Sequence, residues 1–301
     1  MIISASRRTD IPAFYSDWFF NRLREGYVLV RNPMNPHQIG RVDLMPETVD
    51  GIVFWTKNPL PMLDKLYLLR EYSFYFQFTV TSYGIDVEPA VPSKNKAMIP
   101  AFCRLSEQLG PERVIWRYDP IFLTPEYSAE YHAEYFEKMA RRLAGYTCRC
   151  TISFLDYYRG TARRLAGLSP LPFSEAEQRK LGGLLAEICR SYGLEVDACA
   201  EMQDFRDLGI GRARCIDAGL LGRLRGRPLQ IPKDKNQRPE CGCAASVDIG
   251  AYDTCRSGCL YCYAHHSDLA LQRNCASHDP MSPLLVGKPE PEDKIRDRKN
   301  P

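Results

Sequence analysis

The sequence predicts an α/β fold, a single (β/α) barrel-like domain, complete or partial. Three observations predict it. Apolar, β-rich runs alternate with helical patterns seven or eight times, nearly every run ends in polar residues able to bind or react, and 301 residues suffice for one large domain with a sizeable core. In such an architecture the C-terminal ends of the strands share one rim, where active sites are built.

Met1-Ile-Ile-Ser-Ala-Ser6 reads as the first strand, and Ala13 to Glu25 as a helix with aromatics and leucine at helical spacing before Gly26. Tyr27 to Val30 is a further strand or part of an excursion. Gly51 to Trp55 precedes a helix opened by Pro59 and running through Arg70, and Phe74 to Thr79 precedes one from about Lys94 to Gly110. Val114 to Tyr118 precedes a helix from about Pro125 to Leu143. After Cys150 to Leu155 comes a well-marked helix starting at Ser174, where Ser174 and Glu177 pair as a capping box and Gly193 supplies the stop. Leu194 to Ala198 and Ala245 to Ile249 are the last strands. Residues 1–287 are expected to form the domain, with a cysteine-rich loop at 241–275. Charge and proline dominate 288–301, which reads as a mobile tail, while Pro283 to Val286 is apolar enough to pack on the body.

The strand ends carry the candidate chemistry. Ser4, Ser6, Arg7, Arg8, Thr9 and Asp10 end the first, and Thr56, Lys57 and Asn58 the next clear one. Gln77, Thr79 and Thr81, then Arg117 and Asp119, Ser153 and Asp156, and Glu201 follow. Each has a plain structural alternative: Arg7 or Arg117 can pair with a neighbouring carboxylate, and Asp119-Pro120 is an ordinary turn starter. As a set they converge on one rim.

A net charge of +3 does not imply a polyanionic partner, so nucleic acid is not indicated, and the basic stretch Arg212 to Arg227 reads as a solvated helix and loop. No charged leader with an apolar core opens the chain, and no apolar run approaches the ~18 residues needed to span a bilayer, which points to a cytoplasmic protein without a membrane partner. Of twelve cysteines, six fall between Cys241 and Cys275, a clustering that favours metal over disulfides. Cys103, Cys148, Cys150, Cys189, Cys199 and Cys215 are dispersed and read mostly as buried small hydrophobes.

The densest motif is Cys255-Arg-Ser-Gly-Cys259-Leu-Tyr261-Cys262-Tyr263-Ala264. Three thiolates in one loop can take three corners of a 4Fe-4S cubane and leave the fourth iron open. The rival keeps the thiolates and changes the metal: four of Cys241, Cys243, Cys255, Cys259 and Cys262 can make a tetrahedral zinc site, giving a zinc-stabilised nucleic-acid- or protein-binding module. Paired cysteines across a longer spacer are commoner in such modules, and a clustered basic face is missing. A hydrolase using Asp119, Asp156 and Glu201 with a divalent metal would want histidines at strand ends, whereas His37, His132, His265, His266 and His278 read as loop or helix-face residues. Cys241 and Cys243 stay open between a structural role, a thiol donor, a redox pair, and a second cluster completed by Cys275 or another cysteine.

The cysteine loop resembles that of the radical S-adenosylmethionine enzymes, and with its Gly258-to-Ala264 stretch looks most like the branch that includes spore photoproduct lyase. Asp234 to Arg238, Cys241-Gly-Cys243, Asp248-Ile-Gly250, Tyr252 and Thr254-Cys255 resemble an uncharacterised bacterial family known only as a domain of unknown function. The first resemblance implies a 4Fe-4S cluster on Cys255, Cys259 and Cys262, whose open iron chelates the amino and carboxylate groups of S-adenosylmethionine. It further implies an electron from a reductase or a flavodoxin- or ferredoxin-type donor, and a 5'-deoxyadenosyl radical that abstracts hydrogen from a substrate the sequence does not name. Tyr261 would pack near the adenine or the cluster, its alternative being an ordinary core aromatic. Phe54 to Pro59 and Arg117 to Pro120 look similar to strand-end motifs of that branch, which implies cofactor or substrate roles for Lys57, Asn58, Arg117 and Asp119. Arg7 and Arg8 stand where a glycine-rich element for the S-adenosylmethionine amino group is usual. In typical members the cysteine loop follows the first strand; here it follows the last, so the resemblance implies a circularly permuted barrel. The segment with His265, His266 and Leu269 to Leu271 would then be the helix after the cluster loop.

Overall fold

In the computed structural model, which describes residues 1–298, strands and helices alternate as the pattern predicts. The order begins β1 (Ile2–Ala5), α1 (Ile11–Phe14), α2 (Ser16–Glu25), β2 (Tyr27–Asn32), β3 (Asn35–Asp43), β4 (Gly51–Thr56), α3 (Leu60–Leu63) and β5 (Phe74–Thr79). It continues α4 (Ile99–Leu109), β6 (Val114–Ile121), α5 (Ala129–Leu143), β7 (Arg149–Phe154), α6 (Arg159–Leu165), α7 (Glu175–Ser191) and β8 (Glu195–Ala198). Last come β9 (Gly211–Arg212), α8 (Ala218–Arg225), β10 (Val247–Asp248), α9 (Asp268–Ala276) and β11 (Lys294–Asp297).

Eight strands form one sheet in the order β10-β1-β4-β5-β6-β7-β8-β9, every neighbouring pair parallel. Because successive side chains point to opposite faces, one face presents Ile3, Ala5, Ile52, Phe54, Phe76, Trp116 and Ile152 to the helices as the main core. The other presents Ile2, Val53, Tyr75 and Ile115, which pack under Cys215, Ile216, Leu220 and Leu221 from the chain after β9. Two residues further along the same face stand Ser4, Trp55, Gln77 and Arg117. This face is therefore apolar at its N-terminal end and polar at its C-terminal end.

The sheet does not close. Its edges are β9 and β10, and no ladder joins them among the described residues. Of the two expected forms of the barrel, the complete one is thus corrected to an open parallel sheet, because both edge strands have only two residues. Tyr27–Asn32 belongs to an excursion: β2 pairs antiparallel with β3, outside the main sheet.

Local signals acted as expected in several elements. Ser174 and Glu177 make the reciprocal capping box of α7. The helix expected from Ala13 instead begins at Ile11, where the Asp10 carboxylate accepts from the Ala13 N–H, and it breaks at Tyr15. The helix opened by Pro59 stops after Leu63 and resumes as a 3-10 turn at Leu66–Leu69. The tail expected at 288–301 is ordered in part: β11 pairs parallel with β3, and Arg31 clamps Asp293 through two bonds of 2.8 and 2.9 Å. Composition cannot see a strand partner 250 residues away in this way; residues 299–301 of that expected tail lie outside the described residues. Among the described residues no helix is long and apolar enough to cross a membrane.

On α5, His132 is fully buried, its Nδ1 accepting from the Tyr118 hydroxyl at 2.8 Å and its Nε2 donating to the Phe122 carbonyl at 2.9 Å. Burial lowers its pKa to about 4. Between pH ~6.5 and about 4 the unfolded chain therefore binds a proton that the folded one does not, and stability falls as pH falls, by about 3 kcal/mol across the window. A His132→Gln variant is expected to lack this component, read as the difference between the two proteins' denaturation midpoints at pH 7 and pH 4. Taking that difference cancels the contributions of other groups titrating in the same range.

Candidate metal centre

β10 runs beside β1 with Ser4 opposite Asp248. The Asp248 carboxylate accepts from the Ser4 and Ser6 hydroxyls, both at 2.6 Å, and from the Arg7 and Gly250 N–H groups at 2.8 and 3.0 Å. This one side chain fixes both strand ends and delivers the chain into the cysteine loop. Gly250 passes so close that a Cβ there would lie 2.6 Å from the Ser6 Cβ and nearer still to its oxygen. Gly250→Ala is expected to destabilise the protein by about 2–3 kcal/mol, measured by chemical denaturation, through overpacking of this crossing.

The loop is held from several sides. Tyr15 donates to the Thr254 carbonyl at 2.6 Å, the Leu260 N–H to Val87 at 3.0 Å, and the Ala90 N–H to Ser257 at 3.2 Å. Gly258, at φ +70°, turns the chain in the left-handed region that a side chain resists, and the Cys262 N–H closes onto the Cys259 carbonyl at 3.0 Å. Arg164, from α6, donates to the carbonyls of Leu260 and His265 at 2.9 Å each and also to that of Cys262. Cys255, Cys259 and Cys262 are free thiols. Burial raises the pKa of all three, that of Cys255 to about 12, and Cys259 also feels both of the other two sulfurs. Three thiols that share one half-buried loop suit a cation that ionises and binds them together.

Beside them lies a buried carboxylate that the sequence did not single out. Glu88 is 1% exposed and its Oε1 accepts from Lys57 Nζ at 2.8 Å, from the Thr81 hydroxyl at 2.8 Å and from the Tyr261 hydroxyl, while Oε2 meets Lys94 Nζ at 2.6 Å. Burial alone would raise its pKa, but the two ammonium groups overcome this and lower it to about 2. Lys57 also stands 5.4 Å from the centre of the Tyr261 ring. Tyr261 is thus a buried aromatic with a satisfied hydroxyl, packed with Tyr83 and Phe122 over the cysteines. Nothing in the local sequence Asp86-Val-Glu88-Pro89 marks this role, since the cations arrive from other elements.

The remaining strand-end candidates divide. Asp10 accepts from the Lys57 N–H at 2.7 Å, and burial raises its pKa to about 6 in the neighbourhood of Cys255. Arg7 lies 5.9 Å from the Trp55 ring centre and 3.7 Å from Asp234, and Arg8 lies 5.1 Å from that of Tyr252. Arg117 is fully engaged: Nε and Nη2 reach Asp119 at 3.0 and 2.5 Å, and Nη1 reaches Gln77 at 3.1 Å and the Cys215 sulfur at 3.0 Å. The Asn58 side chain takes a local part, accepting from the Leu60 N–H at 3.2 Å at the start of α3. Asp156 pairs with Arg238 at the surface, and Glu201 accepts from the Phe154 N–H at 2.8 Å while burial, with the nearby charges of Asp156 and Asp119, pushes its pKa up to about 7; the carboxylates considered for a hydrolase are neighbours, but among the described residues they are not set about a single ion. The Thr9 hydroxyl is buried without a partner.

Cys241 and Cys243 stand apart from the loop, in the small cluster with Cys215 beneath the open sheet. Cys275 is not with them; its sulfur lies 3.7 Å from the Tyr15 hydroxyl and from the Thr254 carbonyl. The mixed zinc set drawn from both groups is accordingly not assembled, and among the described residues no three His, Cys, Asp or Glu side chains are already set about a single ion. A cubane spreads its cysteine sulfurs around a larger body than one ion does. Cys199 and Cys215, read as buried small hydrophobes, are half-buried and buried, with their sulfurs 3.2 Å apart.

A family model described as "Domain of unknown function (DUF1848)" matches residues 2–264, a span that includes the cysteine loop and every strand of the main sheet. No curated protein matches the chain.

Proposed function

The chain belongs to this family of unknown function, and we propose that it is a radical S-adenosylmethionine enzyme whose 4Fe-4S cluster is held by Cys255, Cys259 and Cys262. The observation that carries the reading is the placement of these three free thiols, one buried and two half-buried, in one braced loop at the C-terminal ends of the parallel strands. When bound, the cluster and S-adenosylmethionine supply one-electron cleavage of a sulfonium and a carbon radical able to take hydrogen from an unactivated C–H bond.

The chain's own part is positional. Glu88, Lys57 and Tyr261 lock the middle of the loop to the rim, and Arg164 locks its far side. Tyr83, Phe122 and Tyr261 shield the Cys259 side from water. Because Lys57 is committed to Glu88, we assign it to anchoring the loop, and assign Arg7 and Arg8, which follow β1 and hold only longer contacts with Asp234 and Asp248, to the cofactor's polar end. Arg117 and Asp119, paired at the floor of the same face, border the substrate space. A reductase or a flavodoxin- or ferredoxin-type protein supplies the electron.

The permuted order follows from the same reading. Starting from the edge strand β10, which leads into the cluster loop, the sheet runs β1, β4, β5, β6, β7, β8, β9 in unbroken chain order. An open (β/α) barrel whose first strand has been moved to the end of the chain has this arrangement, and β10 lying parallel to β1 supports it.

The test is formation of 5'-deoxyadenosine from S-adenosylmethionine by protein reconstituted anaerobically with iron and sulfide and then reduced. Wild type is expected to form it and the Cys255→Ala/Cys259→Ala/Cys262→Ala variant to form none. Equal iron and sulfide in both proteins, or a loaded wild type that leaves S-adenosylmethionine intact, would overturn the assignment.

A further inference from the structure

Beneath the sheet lie two neighbouring thiols that the chemistry proposed above does not use. Cys199 prolongs β8, its N–H donating to the Ile152 carbonyl at 2.9 Å, and Cys215 follows the short edge strand β9. Their sulfurs are 3.2 Å apart although the residues are 16 positions apart in the chain. Cys199 is half-buried and Cys215 is buried. We propose that Cys199 and Cys215 form a reversible dithiol–disulfide site, which exchanges with low-molecular-weight disulfides and joins β8 to the chain that follows edge strand β9.

The surroundings fit thiol exchange better than inert packing. A disulfide holds its sulfurs about 2.05 Å apart, so this pair must close by roughly 1.2 Å. Cys215 is fixed, because its carbonyl accepts from the Tyr75 hydroxyl at 2.7 Å and from the Gln77 amide at 3.0 Å. The movement therefore falls to the less buried Cys199. Arg117 Nη1 donates to the Cys215 sulfur at 3.0 Å and is itself steadied by Asp119 and Gln77. A guanidinium in that position favours the thiolate, the form of cysteine that attacks a disulfide. Asp197, two residues before Cys199 on β8, is buried with its Oδ1 unpartnered. Burial raises its pKa to about 7, which suits it to hold a proton between the two steps of the exchange.

Cys199, the more exposed thiol, meets the incoming disulfide first. Its thiolate attacks one sulfur, the S–S bond of the reagent breaks, and one thiol leaves while Cys199 carries the other half as a mixed disulfide. The Cys215 thiolate then attacks the Cys199 sulfur, forming the internal bond and expelling the second thiol. The protein gives up two electrons and two protons, and the reagent takes both to become two thiols. Once oxidised, Cys215 offers Arg117 a neutral sulfur in place of a thiolate. The Arg117–Asp119 pair thereby feels the redox state of the site.

This inference does not rest on radical chemistry. The probe is glutathione disulfide, given anaerobically to the full chain both as wild type and carrying Cys255→Ala/Cys259→Ala/Cys262→Ala, with thiols blocked at intervals and mapped by peptide mass spectrometry. A Cys199–Cys215 linked peptide is expected from both proteins and is lost again when excess reduced glutathione is added. Cys103, a half-buried thiol on α4, serves as the reference and is expected to take a glutathione adduct at most. Cys215→Ser is expected to stop at a glutathione adduct on Cys199, and Arg117→Gln to close the internal bond about 10-fold more slowly than wild type. No Cys199–Cys215 link in wild type, a Cys215–Cys243 link in its place, a link that reduced glutathione does not reverse, or an unchanged closing rate in Arg117→Gln would each overturn the proposal.

Discussion

Replacing Glu88 with alanine is expected to destabilise the protein by about 3–5 kcal/mol, a fall in Tm of about 10 °C, and to strip iron from the reconstituted enzyme. The size follows from what the change leaves behind. Lys57 and Lys94 would remain side by side with their shared counter-ion gone, and the hydroxyls of Thr81 and Tyr261 would lose their acceptor in a place water does not reach. Glu88→Gln keeps the shape but not the charge and should recover only part of the loss. The same carboxylate sets an acid limit. With its folded pKa lowered to about 2, its contribution is fully present above pH ~4.5 and disappears as the pH falls through about 2. Thermal unfolding and iron content, measured on the same preparations, check the expectation; a variant with wild-type Tm and full iron would show that the network does not hold the loop.

Arg164→Met is expected to cost about 3 kcal/mol and to reduce cluster occupancy several-fold, with Arg164→Lys scarcely better. One guanidinium serves three carbonyls, those of Leu260, Cys262 and His265, from a single planar fork. An ammonium on a flexible stem cannot span them in that geometry, which makes this a site where the two basic residues do not interchange. The carbonyls bracket Cys262, so their release frees the last cysteine of the triplet first. Iron-to-protein ratio after anaerobic reconstitution reads the effect directly, and unchanged ratios in both variants would assign the bracing to the rest of the loop.

Much of the fold was legible along the chain. Strand patterns at Met1, Gly51, Phe74, Val114, Cys150, Leu194 and Ala245 all correspond to strands of the one parallel sheet, because short apolar, β-branched runs bounded by polar ends have few other uses. The α7 capping box was equally plain, since it is made by residues three apart. Helix breaks at Tyr15 and Leu63 were not, nor was β11, whose partner strand lies far away in sequence. Of the candidate site, the cysteine triplet is a local motif and needed no tertiary information. Glu88 escaped notice because a buried acid looks like any loop acid until its two lysines are seen around it.

The sequence by itself determined the alternating α/β architecture and the three-thiol loop, because both are written in spacings of a few residues that backbone periodicity and ligand geometry read directly. Only the tertiary structure decided that the sheet stays open between β9 and β10, that Glu88 anchors the loop, and that the Cys199 and Cys215 sulfurs meet beneath the sheet. Those outcomes depend on strand order and on which distant side chains share a buried volume, where removal from water forces charges and thiols to find partners that no local pattern names.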